Sequence, residues 1–298
     1  MTSHGLLHVF GRSRSAAQSL ASAAVMRHYG YTVPDDLLTR TELRELEPTL
    51  SRRAETGYLI GQERHIDPAR LTAGLAGLAR KAGTEIWEQA EVRRLECKAR
   101  QVRAIVTGHG PLPVASVVLT RGASCGTLLR PLGIRLPLTA GKGYSFQRRL
   151  RMLPRRPIHL GDVKVAVTPL AGGLRIAGTM ELSGNNETLR RSRGRAIARG
   201  AAQYFDGWDE LEPGGSGREP EELWVRRRPL TPDGLPILDR VDPFREPLPR
   251  HRARHARRHP GAGVRQSPGR LRDIRHTSRT ARALPLGVLY VEALRVAG

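Results

Sequence analysis

Apolar positions along the chain fall into two rhythms. Short apolar runs bounded by turn residues read as strands: Gly5–Phe10, Tyr31–Val33, Thr56–Ile60, Glu85–Ala90, Val92–Cys97, Val102–Thr107 and the buried-type run within Leu112–Leu119. Apolar residues three and four apart read as helices over Ser13–Tyr29, Thr41–Glu47 and Ala69–Ala82, with Pro48 stopping the second. The third has a defined start and stop. Asp67 can accept free backbone N–H groups as N-cap, Pro68 needs no donor at the first helical position, and Gly83 follows the end. Leu71, Leu75 and Leu78 share one face of it. Further on, Gly143–Phe146, Lys164–Val167 and Leu174–Ala177 read as strands with a Gly172-Gly173 turn, and Asn186–Phe205 reads as a helix. Pro213–Gly217 is a loop, and the strand Glu221–Arg227 leads into the turn Pro232-Asp233-Gly234.

Beyond Pro243 the periodicity stops, and Leu284–Val291 offers material for one short strand. The order of elements predicts a mixed α/β chain: part of a three-layer α/β domain, then an antiparallel β domain with helices.

Charge sharpens this division. The formal net charge is +22 over 298 residues. The segment from Pro249 to Gly298 holds 12 Arg, one Asp and one Glu, a net of +10, leaving +12 for the other 248 residues. Segment 243–298 therefore reads either as a solvated, disordered basic tail or as an off-frame translation of a GC-rich gene. Aromatics make up 4% of the chain, with none of the aromatic-basic interleaving of an RNA-binding sheet, so no specific nucleic acid partner is expected. Cys97 and Cys125 lie too far apart for a CxxC pair, and no metal site is expected. Neither a signal peptide nor a membrane-spanning run is found, so a cytoplasmic protein is expected; peripheral contact of surface arginines with the inner membrane stays open. The scattered histidines, including His4, His8, His28, His65, His109 and His159, read as structural or solvent-facing.

Three stretches carry chemistry. They are Glu63-Arg-His-Ile-Asp67-Pro68-Ala-Arg-Leu71, Leu136-Pro-Leu-Thr-Ala-Gly141-Lys142-Gly143-Tyr144, and Arg228-Pro229-Leu230-Thr231-Pro232-Asp233-Gly234-Leu235-Pro236. Together they resemble the FAD-dependent amine and D-amino acid oxidoreductases, most closely the small-subunit type of D-amino acid dehydrogenase, over roughly Gly5 to Asp242. The resemblance implies FAD as cofactor and an amino acid substrate. It implies oxidative deamination, in which the α-hydrogen leaves as hydride to flavin N5 and the imine is hydrolysed to a 2-oxo acid and ammonia. The electron acceptor, a quinone or oxygen, stays open.

On this resemblance 1–60 belongs with the substrate domain and its linking elements. Residues 61–135 form the remainder of an incomplete FAD-binding domain, and 136–242 form the antiparallel substrate domain. No GxGxxG lies between a strand and a helix, so the phosphate-binding loop is expected upstream of Met1. Val92 would meet the adenine ring through its backbone. Gly122 and Ala123 would lie beside the ribose and pyrophosphate. Gly141, Asp233 and Gly234 would approach the flavin. Arg121, where the family has a small residue, would pair with a phosphate or block the site. Lys142 and Tyr144 would stand near the reactive edge of the flavin, against the plain reading of Lys142 as a strand residue with a solvated amine. Arg228 would bind the substrate carboxylate, since a guanidinium presents a planar fork to it. Two other classes remain: a non-catalytic basic protein that binds nucleic acid or anionic membrane through its Arg-rich tail, and the product of a degenerate gene.

Overall fold

The computed structural model describes residues 4–99, 101–208, 221–240 and 290–292. The loop Pro213–Gly217 and all of the basic segment 243–298 except 290–292 lie outside the described residues. Among the described residues the strands are β1 Leu6–Phe10, β2 Thr56–Ile60, β3 Arg94–Lys98, β4 Gln101–Thr107, β5 Gly110–Pro113, β6 Thr139–Arg148, β7 Ile158–Leu160, β8 Val165–Leu170, β9 Gly173–Glu181, β10 Glu221–Leu230, β11 Leu238–Arg240 and β12 Tyr290–Glu292. The helices are α1 Ser13–Ala23, α2 Arg40–Leu46, α3 Pro68–Lys81, α4 Cys125–Leu129 and α5 Arg191–Ala202.

Seven strands form one sheet in the order β10-β6-β9-β8-β7-β1-β2. It is mixed rather than purely antiparallel, because β1 pairs parallel with β7 while β1–β2, β7–β8, β8–β9 and β6–β9 are antiparallel. Its central strands bury both faces. From β1, Leu7 and Val9 enter the main core with Tyr144, Phe146, Ile158, Leu160, Val167, Leu174, Ile176 and Val225, sealed by Leu43 of α2 and by Ile197 and Ala201 of α5. Phe10 points the other way and joins Tyr58, Ile60 and Ala16 of α1. The alternation follows from the two-residue period of a strand. Gly178 lets α5 pack close, since an added Cβ there would lie 3.1 Å from Ile197.

The chain divides into two compact units. Unit 1 comprises Met1–Trp87 and Gly141–Arg227, and unit 2 comprises Glu88–Ala140 and the chain from Arg228. Unit 2 contains the antiparallel sheet β3-β4-β5 and a small core of Leu119, Cys125, Leu128 and Leu129.

Three strand expectations fail. Tyr31–Val33 is not a strand: Arg27 donates to the carbonyls of Val33 and Pro34 at 2.9 and 3.1 Å, and Gln62 accepts from Thr32 N, so side chains satisfy this backbone. Glu85–Ala90 is not a strand either, and Gln89 there has φ +57. The run Val114–Leu119 forms only an isolated bridge at Leu119, with Val118 half exposed. The Leu75 and Leu78 stripe of α3 is 56% and 63% exposed, although the cap is as expected, with Asp67 accepting from the N–H groups of Ala69 and Arg70.

Candidate active site

The three consecutive arginines of β10 are sorted by the strand itself. Val225 is buried in the main core, and Arg227 lies on its side of the strand, donating to Glu187 at 3.2 Å and Asn185 at 2.7 Å. Trp224 and Arg226 point to the opposite face, where the Arg226 guanidinium lies 5.6 Å from the Trp224 ring centre and Arg175 of β9 lies 4.8 Å from it. Arg175 also donates to the Ser145 hydroxyl at 3.3 Å. Strand alternation gives Arg228 the Arg226 orientation.

Lys142 and Tyr144 lie on the core side of the sheet. Lys142 is 1% exposed, so its amine is not solvated. Its Nζ stands 3.1 Å from Glu181 Oε1, and it donates to Asn186 Oδ1 at 3.1 Å and to the Thr188 carbonyl at 3.0 Å. The Tyr144 hydroxyl donates to Glu181 Oε2 at 2.9 Å. Lys142 and Glu181 are cross-strand neighbours in the β6–β9 register, beside a bulge between Lys142 and Tyr144. Hydrogen bonds from Ser183 and Tyr144, with the Lys142 ammonium, hold the Glu181 carboxyl down to about 2. Arg190 and Arg193 stand 3.9 Å from the same carboxylate. Glu181 escaped the sequence reading because the pairing that joins it to Lys142 is a matter of register, which no local pattern reports.

The residues that the resemblance assigns to the cofactor fall mainly in unit 2. Val92 packs its side chain against the small core. Gly122 opens a 3-10 turn with φ +58, a conformation that favours glycine, and an added Cβ would touch only the Pro229 ring at 3.6 Å. Ala123 follows in the same turn. Gly234 has φ +73 with open space where a Cβ would stand, in a turn closed by Thr231 donating to the Leu235 carbonyl and by Leu235 N donating to Asp233. That backbone hydrogen bond pulls the Asp233 carboxyl below its usual range. Arg121 is ion-paired with Glu91 at 3.3 Å. Gly141 is buried in β6 and belongs to unit 1. Gly122 and Gly234, with positive φ and little around the place of a Cβ, present main chain of the kind a dinucleotide approaches.

The described residues form a mixed α/β frame, and the family follows from comparison with known proteins. The model of the FAD dependent oxidoreductases matches residues 1–270, and the chain belongs to this family. It is 29% identical over 243 residues to a D-amino acid dehydrogenase of Cereibacter sphaeroides, covering 80% of this chain and 54% of the relative. It is 31% identical over 212 residues to a D-amino acid dehydrogenase of Sinorhizobium medicae, covering 69% and 49%. The chain thus spans about half the length of these relatives. Among solved structures, glycine oxidase from Bacillus cereus superposes with a TM-score of 0.67 at 22% identity, covering 80% of this chain and 63% of that one. L-proline dehydrogenase from P. horikoshii gives 0.66 at 17% identity, covering 81% and 64%. Both share the fold.

Proposed function

We propose that this chain carries the substrate-holding part of an FAD-dependent oxidoreductase that oxidises the amine-bearing carbon of D-amino acids. The observation that carries the reading is the sorting of the β10 arginines: Arg227 is engaged by Glu187 and Asn185, while the strand turns Arg226 and Arg228 the other way. Arg228 is the seat of the substrate carboxylate, since a guanidinium on a strand offers a fixed bidentate fork. The names of the relatives, D-amino acid dehydrogenases in both cases, support the D configuration. When bound, FAD supplies the acceptor for the two electrons. The main chain at Val92, Gly122, Ala123 and Gly234 would hold it. Lys142 and Tyr144, joined through Glu181, brace the start of β6.

Two measurements test this. FAD is titrated into the full chain with flavin fluorescence as the readout, and an artificial dye is then offered as acceptor with D- and L-amino acids in parallel. Saturable binding, dye reduction by D-amino acids alone and a KM at least about tenfold higher in Arg228→Gln are expected. A protein that binds FAD but turns over no D-amino acid refutes the reading.

A further inference from the structure

We propose that α5 and the loop before it form a docking surface for a membrane rich in anionic lipid. Helix α5 carries Arg191, Arg193, Arg195 and Arg199 and no acid, with Arg190 at its N-cap. Its buried residues are Gly194, Ile197, Gly200 and Ala201. The two glycines seat it closely, since a Cβ at Gly194 would lie 2.7 Å from Leu223 and one at Gly200 would lie 3.3 Å from Val163. At about 100° per residue, Arg191, Arg195 and Arg199 fall in one row opposite that buried face. All three are exposed. Like charges four residues apart on a helix repel one another, and cations near a helix N-terminus oppose its dipole. A surface polyanion relieves both penalties.

The end of β9 and the loop into the helix supply apolar side chains. Met180, Leu182 and Leu189 are exposed, Leu182 to 67%. The loop is tied down from within unit 1. Lys142 donates to Asn186 Oδ1 and to the Thr188 carbonyl, and Arg227 donates to Asn185 and Glu187. These ties engage the acids of the stretch. Glu181 is held by Lys142 and Tyr144, and Glu187 by Arg227. Arg190 and Arg193 stand 3.9 Å from the Glu181 carboxylate. Glu181 lies between Met180 and Leu182, and Leu189 directly precedes Arg190, so the apolar residues and the arginines share one patch. Aliphatic side chains beside guanidinium groups suit a bilayer: the former enter the headgroup region, and the latter offer forks to lipid phosphates. Residues 180–202 include no aromatic that could stack on a base, which favours lipid over nucleic acid.

The test needs neither FAD nor substrate, so it stands apart from the proposed activity. The full chain is mixed with vesicles of phosphatidylcholine, alone or with an equal part of phosphatidylglycerol, and hydrogen exchange is read by mass spectrometry. Because the segment from Pro249 to Gly298 also holds 12 Arg, total binding does not locate the contact, whereas local exchange does. Protection of 180–199 on the anionic vesicles alone is expected, with α3 unchanged. Each arginine near an anionic surface is worth about fivefold in partitioning. Replacing Arg191, Arg195 and Arg199 together by Gln should therefore remove the local protection, with the unfolding midpoint in urea confirming that the variant is folded. Leu182→Ser with Leu189→Ser should weaken the protection, and Leu182→Trp should gain fluorescence that acyl-brominated lipids quench. Failure to bind anionic vesicles overturns the proposal. So does binding that leaves exchange at 180–199 unchanged, or protection that survives in the folded arginine variant. Equal protection by duplex DNA, with the leucine variants behaving as wild type, overturns the lipid assignment in favour of nucleic acid.

Discussion

The imidazoles of His8 and His159 should make the seven-stranded sheet acid-labile. They are cross-strand neighbours in the β1–β7 register, with ring centres 5.3 Å apart. The His8 ring also stacks on Tyr58 at 4.5 Å, and the Tyr58 hydroxyl is shared with Ser19 of α1 at 2.8 Å. Among the described residues, the buried Nδ1 atoms of His8 and His159 have no hydrogen-bond partner. Burial, then the neighbouring His159, pushes the His8 pKa from 6.5 down to about 4. Burial, then Lys164, pushes His159 down too. The native sheet therefore holds both rings neutral, while the unfolded chain takes up protons as pH falls through 6.5. Stability is complete above that pH and is lost progressively as pH falls from 6.5 toward 4. For His8 alone the linkage gives a loss of about 2 kcal/mol at pH 5 and roughly 3 kcal/mol below pH 4. Urea unfolding at pH 7.5 and pH 5.0, followed by the fluorescence of core Trp208, measures it in the wild type and in His8→Phe, which keeps an aromatic ring against Tyr58. The variant should lose about 2 kcal/mol less than the wild type between the two pH values, because every carboxylate contributes equally to both. Equal pH dependence within about 0.5 kcal/mol would show that His8 does not titrate as its surroundings require.

Glu181→Gln leaves Lys142, Arg190 and Arg193 without their shared anion and should lower the unfolding midpoint at pH 7. Because the Glu181 pKa is depressed to about 2, its contribution is present above the ordinary carboxylate pKa and fades as pH falls toward 2. The deficit should therefore shrink at pH 3, and a constant deficit would contradict the ion-pair account. Gly57→Ala should be among the most damaging single changes, because its Cβ would lie 2.1 Å from the His8 carbonyl oxygen and the β1–β2 pair would have to part. Its cost, read by urea unfolding, should exceed about 3 kcal/mol. Gly161→Ala would bring its Cβ to 1.9 Å from the buried Phe10 ring and should also cost at least about 2 kcal/mol; a cost near zero would be inconsistent with this packing. Asp67→Ala should destabilise α3 by about 1 kcal/mol and speed hydrogen exchange at Ala69 and Arg70. Unchanged exchange there would mean that the cap is not formed.

Features set by one or two neighbouring residues were legible in the sequence, and features set by distant ones were not. The Asp67-Pro68 start of α3 needs only a side-chain acceptor and a missing donor, and it is present. The separation of Arg227 from Arg226 needs only the period of a strand, and their contacts separate in the same way. By contrast, Tyr31–Val33 has the composition of a strand, but strand formation depends on who satisfies its carbonyls, and the guanidinium of Arg27 does so first. The Thr39–Glu42 capping box, which starts α2 with reciprocal bonds, was also overlooked, although a Thr followed three residues later by Glu is a readable signature.

The site divides along the same line. Its cations could be named one by one, because each is a residue type in a recognisable run. The buried partner of Lys142 is Glu181, whose pairing depends on the β6–β9 register and on the bulge beside it. A bulge moves every later side chain by one place relative to the opposite strand, so a list of candidate residues could not say which anion would meet that ammonium. The same holds for His8 and His159, which read as unrelated residues along the chain and become one titrating pair only because β1 and β7 run parallel in that register. A candidate side chain can therefore be named from sequence, while a pairing that depends on two strands meeting is decided by the sheet.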